Sequence, residues 1–368
     1  MKHIVQVSSY YPPHLGGQEN AVCDLASQLA NAGHQVQVLT STEGGGSHGN
    51  TVEHGVRIKR LRGIVFGHAP IMPRFPIALF RATSKDSVVH VHIGQAFTPE
   101  IVWITAKLRG FKYIAQLHID FEPSGPVGIL LPLYKKIILK RALRSASAVI
   151  VLNEKTLHTV RDVYGYAGTL RVMNNGIDDA YFSLERPQLS PRPPKVLNLL
   201  FVGRLSKQKN IPALLKAVKL TKRRVHIDII GEGDEGDLLN KIIEEYDLEN
   251  VTLHGRLPRE SVAAFYTACD ALIMPSLYEA QPLVLLEAMA AQIPIIGTNV
   301  IGVVDHIKGA AIVVEPTFQG LINGIERYYK EYATLPELIK RGYHRAESMR
   351  WSHTLKQYET LYEEILGS

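Results

Sequence analysis

The sequence predicts an α/β protein of two Rossmann-like, doubly wound domains facing each other across an interdomain cleft. Three observations predict it. Short apolar runs alternate with helically patterned runs, as expected for parallel strands covered on both faces. The alternation stops at a proline-rich stretch, residues 183–196, and starts afresh beyond it. Proline denies backbone donors and fixes φ, so this stretch reads as a linker. The length of 368 residues suits two domains at about 100–200 residues each.

Each element follows from local pattern. Residues 3–8 are a short Val/Ile strand, and a Pro/Gly loop over 11–17 follows it. Residues 19–32 show helical spacing, with Val22, Leu25, Ala26 and Leu29 on one side. Gly33 ends that helix and 35–40 return as a strand, completing a βαβ unit. Strand 88–92, helix 99–108, strand 113–117 and strand 148–152 repeat the theme. Beyond the linker come strand 197–202, helix 211–220, strand 225–230, helix 237–246, strands 251–253 and 271–274, helix 283–291 and strand 293–297. Helical segments near 317–330, 335–347 and 351–366 close the chain. The domains are expected at 1–186 and 187–350, with 351–368 as a separate closing helix.

Composition excludes several classes. At 46% hydrophobic and 21% charged residues, the chain is neither disordered, collagen-like nor coiled coil. No apolar run approaches the roughly 18 residues of a membrane span, and the first residues lack a signal-peptide pattern. Cys23 and Cys269 are far apart, so no disulfide framework or zinc site is expected and a reducing, cytoplasmic setting is the default. Residues 1–190 hold 20 Lys+Arg and 13 Asp+Glu, and the remainder 21 and 22. A basic first half suits an anionic membrane surface or an anionic acceptor. No nucleic-acid partner is expected, since no helix-turn-helix, RNP or finger pattern occurs.

In such sheets ligands sit outside the carboxyl ends of the strands, so the loops there matter most. Gly16-Gly17 precede a helix and let backbone approach a ligand closely, leaving helix N–H groups for an anion; the bland alternative is a plain turn. In 201–210, FVGRLSKQKN, Arg204 and Lys209 can converge on a diphosphate, Arg as a fork and Lys as a point charge. Gly231-Glu-Gly233 follows a strand and could wall a flat nucleobase, or simply turn. Residues 275–290, PSLYEAQPLVLLEAMA, are the most specific. Pro282 is placed as a first helical residue, with free N–H groups beyond it for phosphate or sugar hydroxyls. Glu279 in the loop and Glu287 roughly 7–8 Å along the helix suit one carboxylate at a sugar and another at a ribose.

These motifs, with YYPPHLGGQE, LASQLANAGHQVQVLT, VVHVH, QLHID, NNGID and GEGDE, give the chain a resemblance to the family 4 retaining glycosyltransferases, the glycosyl transferases group 1 of GT-B fold. It covers essentially the whole chain. The resemblance implies that Glu279 contacts the transferred sugar, Glu287 binds the ribose, and Arg204 and Lys209 neutralise the leaving diphosphate. It implies that Gly17 offers its N–H to that diphosphate and that His118 approaches the donor sugar near the reacting carbon. Gly16, Gly231, Arg256, Leu257, Gln281 and Leu283 complete the donor-binding set. It also implies that 351–366 returns to pack on the first domain. Ala280, Gln281 and Pro282 depart from the common Glu-Gly-Phe-Gly form, which bears on the donor sugar's identity.

The expected reaction moves a hexose-type sugar from a UDP- or GDP-linked donor to a lipid-linked or glycan acceptor, with retention. No metal and no further cofactor is expected. His90 and His92 share one side of a strand but lack a carboxylate or third His at suitable spacing, and Asp178-Asp179 is not a metal-binding DxD. Alternatives are a nucleotide-sugar epimerase of the same fold and a non-catalytic nucleotide-sugar-binding protein. Two segments are basic and apolar together. In 128–144 a helical wheel sets Lys136, Lys140, Arg141 and Arg144 on one side around Leu133 and Ile137, with Ile138, Leu139 and Leu143 opposite. In 59–81 the residues are Arg60, Arg62, Phe66, Arg74, Phe75 and Phe80. Both suit a peripheral membrane contact with snorkelling cations, or a helix packed on its sheet with a solvated face.

Overall fold

The computed structural model describes residues 1–14, 16–43, 45–66, 69–118, 131–185, 189–300 and 302–367. Ile119 and Asp120 of QLHID, and 128–130 of the basic segment, lie outside the described residues. The chain forms two compact units, one of residues 1–176 with 351–368 and one of 177–350.

The first unit is an eight-stranded sheet. Its strands are β1 (His3–Ser8), β2 (Gln35–Ser41), β3 (Gly49–Glu53), β4 (Val56–Leu61), β7 (Ser87–Ile93), β8 (Lys112–Leu117), β9 (Ala148–Val151) and β10 (Thr169–Val172), with a separate hairpin of β5 (Ile64–Phe66) and β6 (Ala69–Ile71). The order is β10-β9-β8-β7-β1-β2-β4-β3, and only the β3 edge runs antiparallel. Strand β1 pairs with β2 on one side and β7 on the other, so the strand order reverses there. Helices α1 (Gly17–Asn31), α2 (Phe75–Ala82), α3 (Thr98–Arg109) and α4 (131–144) flank the sheet. Leu79, Val102, Leu139 and Leu143 pack α2, α3 and α4 on one face, against Val89, Val91 and Ile93. On the other face Val22 and Leu25 of α1 join Tyr358, Leu361, Tyr362 and Ile365 of the closing Trp351–Gly367 helix.

The second unit is a six-stranded, wholly parallel sheet. It contains β11 (Leu197–Val202), β12 (Val225–Ile230), β13 (Val251–Gly255), β14 (Ala271–Met274), β15 (Ile295–Thr298) and β16 (Ile312–Val314), in the order β13-β12-β11-β14-β15-β16. The order reverses at β11, which pairs with both β12 and β14. Apolar clusters cover both faces, which is why β11 and β14 are mostly apolar runs.

Several features differ from the sequence expectation. The second unit starts at Ile177 rather than near 187. The Ile177 N–H donates to Met349 O at 2.8 Å, Asp179 pairs with Arg350 at 2.5 Å, and Tyr181 sets its ring edge-on to Tyr266. Asp178 caps the short Asp179–Phe182 helix through the Ala180 N–H at 2.9 Å. The β3–β4 and β5–β6 hairpins, β10, β16 and the Arg259–Ala268 helix carried too little pattern to be read. In the 59–81 segment Arg60 and Phe75 are buried, not basic-apolar surface. Arg60 reaches Glu53, Thr51 and the Pro12 carbonyl, and Phe75, the first residue of α2, points into the core of the first sheet. In α4 the turn Lys135–Leu139 is π-type; its i→i+5 bonding widens the turn and leaves Ile138 exposed, not opposite the basic side.

Candidate active site

The loops after β11 and β14 leave neighbouring strands of the second sheet at its switch point, where open α/β sheets hold ligands. They are laced together. Asn210, at φ 53, donates from Nδ2 to Pro275 O at 3.1 Å and Pro316 O at 3.2 Å. The Leu277 N–H donates to Gln208 O at 2.8 Å. Between them the Glu279 carboxylate is almost wholly buried. Its Oε1 accepts from Lys209 Nζ at 2.5 Å and Ser276 Oγ at 2.7 Å, and its Oε2 from Gln208 Nε2 at 3.3 Å. These three donors, one of them a cation, hold the carboxylate in a single orientation. Gly302, at φ +77, lies so close that a Cβ would sit 2.1 Å from Glu279 O; only glycine fits.

The Leu283–Ala290 helix follows. Pro282 is its N-cap, at φ −74 and ψ 114, not its first helical residue as the pattern suggested; the extended ψ keeps it outside the helix. The Leu285 N–H turns back on Pro282 O at 3.1 Å, leaving the amides of Leu283 and Val284 at the helix start. Inside the helix, Glu287 Oε2 accepts from Tyr266 OH at 2.9 Å and its Oε1 from Arg259 Nη2 at 3.2 Å. Arg259 Nε also donates to Tyr181 OH at 3.1 Å. Burial first, and the Glu287 charge second, push both phenols above their ordinary range, so they stay protonated. Tyr181, Arg259 and Tyr266 were missed by sequence reasoning. Arg259 and Tyr266 share the Arg259–Ala268 helix and Tyr181 lies in the Asp179–Phe182 helix, and no motif links them to Glu287.

The other donor-binding candidates spread around this point. Gln281 and Leu283 are buried, Leu257 half-buried, and Arg256 and Arg204 exposed. Gly231 proves to serve close backbone approach. At φ +145, a Cβ there would lie 1.8 Å from Gly203 O, and one on Gly233 would lie 2.2 Å from Leu205 O. The loops after β11 and β12 therefore dock backbone on backbone, through Gly203 N–H to Ile230 O at 3.0 Å and Leu205 N–H to Glu232 O at 2.9 Å.

In the first unit, Gly16 caps α1 and Gly17 opens it, with free space where a Gly17 Cβ would stand. The Glu19 carboxylate folds over Gly16 and meets His14 Nδ1 at 3.1 Å. His118 follows β8 and is buried. Its Nε2 shares a hydrogen bond with His92 Nδ1 at 2.9 Å, His92 stacks on His90 at 4.2 Å, and His90 Nδ1 meets Tyr362 OH at 2.8 Å. The third histidine that the spacing of His90 and His92 did not reveal is thus His118. The three rings bond and stack on one another, and the described residues contain no group of three or more ligands that could hold a metal. Burial pushes His90 and His118 down to about 3 and His92 well below its ordinary value, so all three rings are neutral near pH 7. The His90 and His92 Nε2 atoms have no hydrogen-bond partner among the described residues.

Comparison with known proteins defines the class. The profile of Glycosyltransferase Family 4 matches residues 15–181 and that of Glycosyl transferases group 1 matches 185–345. The chain belongs to the family 4, group 1 glycosyltransferases of GT-B fold. It is 27% identical over 332 residues to the glycogen synthase of Mycobacterium tuberculosis, covering 81% of this chain and 78% of that protein. It is 26% identical over 333 residues to a glycosyltransferase of Methanocaldococcus jannaschii, covering 83% and 82%. Among solved structures, sucrose-phosphate synthase of Thermosynechococcus elongatus superposes with a TM-score of 0.80 at 23% identity over 100% of both chains. Alr3699/HepE of Anabaena in complex with UDP and glucose gives 0.75 at 17%, over 97% and 98%.

Proposed function

We propose that this glycosyltransferase moves a hexose-type sugar, with retention and without a metal, from a UDP- or GDP-linked donor to a lipid-linked or glycan acceptor. The setting is cell-surface polysaccharide or glycolipid synthesis, at the cytoplasmic face of a membrane to which the enzyme binds peripherally. The observation that carries the reading is the Glu279 carboxylate, locked by Lys209, Ser276 and Gln208 at the sheet's switch point. Glu279 orients the sugar hydroxyls and Glu287 the ribose. Arg204, Lys209 and the amides at the start of the Leu283–Ala290 helix face the diphosphate. As the C1–O bond loosens, its electron pair passes to the β-phosphate, where these groups stabilise the charge. The acceptor oxygen bonds to C1 on the same face, and its proton passes to the departing phosphate. His118, neutral, is assigned to the donor sugar near C1.

The test is incubation with a panel of UDP-, GDP- and ADP-sugars, alone and with a bacterial-type lipid extract. Transfer to acceptor, with the donor's anomeric configuration kept, is expected with one donor. Glu279→Ala and Arg204→Ala should each lower the rate by about 10²–10³-fold. Release of an epimerised sugar nucleotide without acceptor, binding without turnover, or wild-type rates in both variants would overturn the reading.

A further inference from the structure

The helical layer formed by α2, α3 and α4 leaves an unusual outer face. Leu108 is 74% exposed, Ile77 58% and Ile104 51%, with Phe80 beside them. Ile77 and Phe80 of α2 and Ile104 and Leu108 of α3 line one shared apolar groove of about 370 Å³. The β5–β6 hairpin also exposes Ile64, Val65 and Phe66, and α4 exposes Ile137 and Ile138. An apolar groove this exposed is rarely left without a partner.

Charge identifies the partner. Residues 59–144 hold fourteen Lys+Arg against four Asp+Glu. Arg81 lines the groove, and the Arg109 guanidinium lies 4.3 Å over the Phe80 ring. Lys107 lies 4.7 Å over Trp103. Just before α2 a second hollow of about 460 Å³ is lined by His48, Arg62, Ile64 and Arg74, with Gly63 and Pro73. Arg62, Arg74 and Arg81 make no ion pair among the described residues. The one acidic residue of α3, Glu100, is turned inward to Tyr134 OH. Apolar side chains rimmed by unneutralised cations match an anionic lipid surface, with acyl chains beneath and phosphates above. No helix of the described residues is long and apolar enough to cross a membrane.

We propose that the α2–α3 groove and the Arg62/Arg74 hollow together form a docking face for an anionic bilayer. The groove receives apolar lipid and the hollow the phosphate headgroups. This deepens the peripheral reading given above, and its test needs no glycosyl transfer.

The test is flotation of the full chain with vesicles of pure phosphatidylcholine and of an equal mixture with phosphatidylglycerol, at low and high salt. The protein should float with the anionic vesicles and not with the neutral ones. The pair Arg74→Glu and Arg81→Glu should weaken anionic binding roughly tenfold or more. The pair Ile77→Ser and Leu108→Ser should abolish the part of binding that survives high salt. The melting temperature and the circular dichroism spectrum should be unchanged in both, which separates lost docking from lost folding. Wild-type protein that stays behind with anionic vesicles at low salt, or double variants that float like wild type, would overturn the proposal. So would light scattering showing a dimer that the Ser pair dissociates, because the face would then join two copies of the chain.

Discussion

At the residue scale, buried titratable groups set the chemistry and have a measurable cost. His90, His92 and His118 are neutral because burial removes the water that would solvate an imidazolium. The unfolded chain titrates them near 6.5, and the folded one at about 3 for His90 and His118. Between those values the unfolded state binds more protons, so stability is full above about pH 6.5 and falls as pH drops. Each ring contributes up to about 1.4 kcal/mol per pH unit in that window. Urea denaturation between pH about 7.5 and about 5 should show this fall before the carboxylates titrate, and His90→Gln should make it shallower. A flat profile would refute the assignment. His118 itself should give no limb to the pH–rate profile of transfer near neutrality, since it keeps one protonation state there.

At the element scale, the site depends on how closely two loops can approach. Gly231→Ala places a Cβ against Gly203 O in a left-handed backbone position. The expected cost is about 2 kcal/mol or more, together with weaker binding of whichever nucleoside diphosphate the enzyme takes, because the loop that carries Arg204 and Lys209 must shift. Thermal melting and calorimetry check both; wild-type values would show that the loops tolerate separation. The sequence displayed these glycines but not their reason, since the oxygen that Gly231 accommodates is 28 residues away in the chain. Glu279 and Glu287 were legible from order and spacing along one loop and one helix. The partners of Glu287 were not, because Tyr181, Arg259 and Tyr266 come from segments distant in sequence. Likewise Phe80 was read within the basic-apolar 59–81 segment, but the groove it forms with Ile77, Ile104 and Leu108 was not legible, because it takes two helices side by side.

At the scale of the whole molecule, alternating apolar runs were enough to declare the two parallel sheets, because strands buried on both faces are rich in Val, Ile and Leu. Among the strands that were illegible, β3 and β5 are mostly exposed, β6, β10 and β16 are only three or four residues long, and β4 interrupts its apolar residues with Arg57, Lys59 and Arg60. The boundary was misplaced because proline marks a stiff stretch, whereas the unit is defined by packing that begins at Ile177. The closing helix illustrates the same point. Trp351, Tyr358, Leu361, Tyr362 and Ile365 are buried in the first unit, and Tyr362 and Tyr358 satisfy His90 and Gln116. At about 1.5–3 kcal/mol per large apolar side chain, these residues rival the roughly 5–15 kcal/mol stability of a domain. Deleting 351–368 should therefore leave the first unit unfolded or aggregated, as read by proteolysis and tryptophan fluorescence. A soluble, protease-resistant deletion would contradict that expectation. The central claim is tested most directly by determining a crystal structure with the productive nucleotide sugar or its nucleoside diphosphate bound. The diphosphate should lie against Arg204, Lys209 and the start of the Leu283–Ala290 helix, with Glu279 on the sugar and Glu287 on the ribose. A ligand bound anywhere else, with Glu279 still closed on Lys209, would contradict the account.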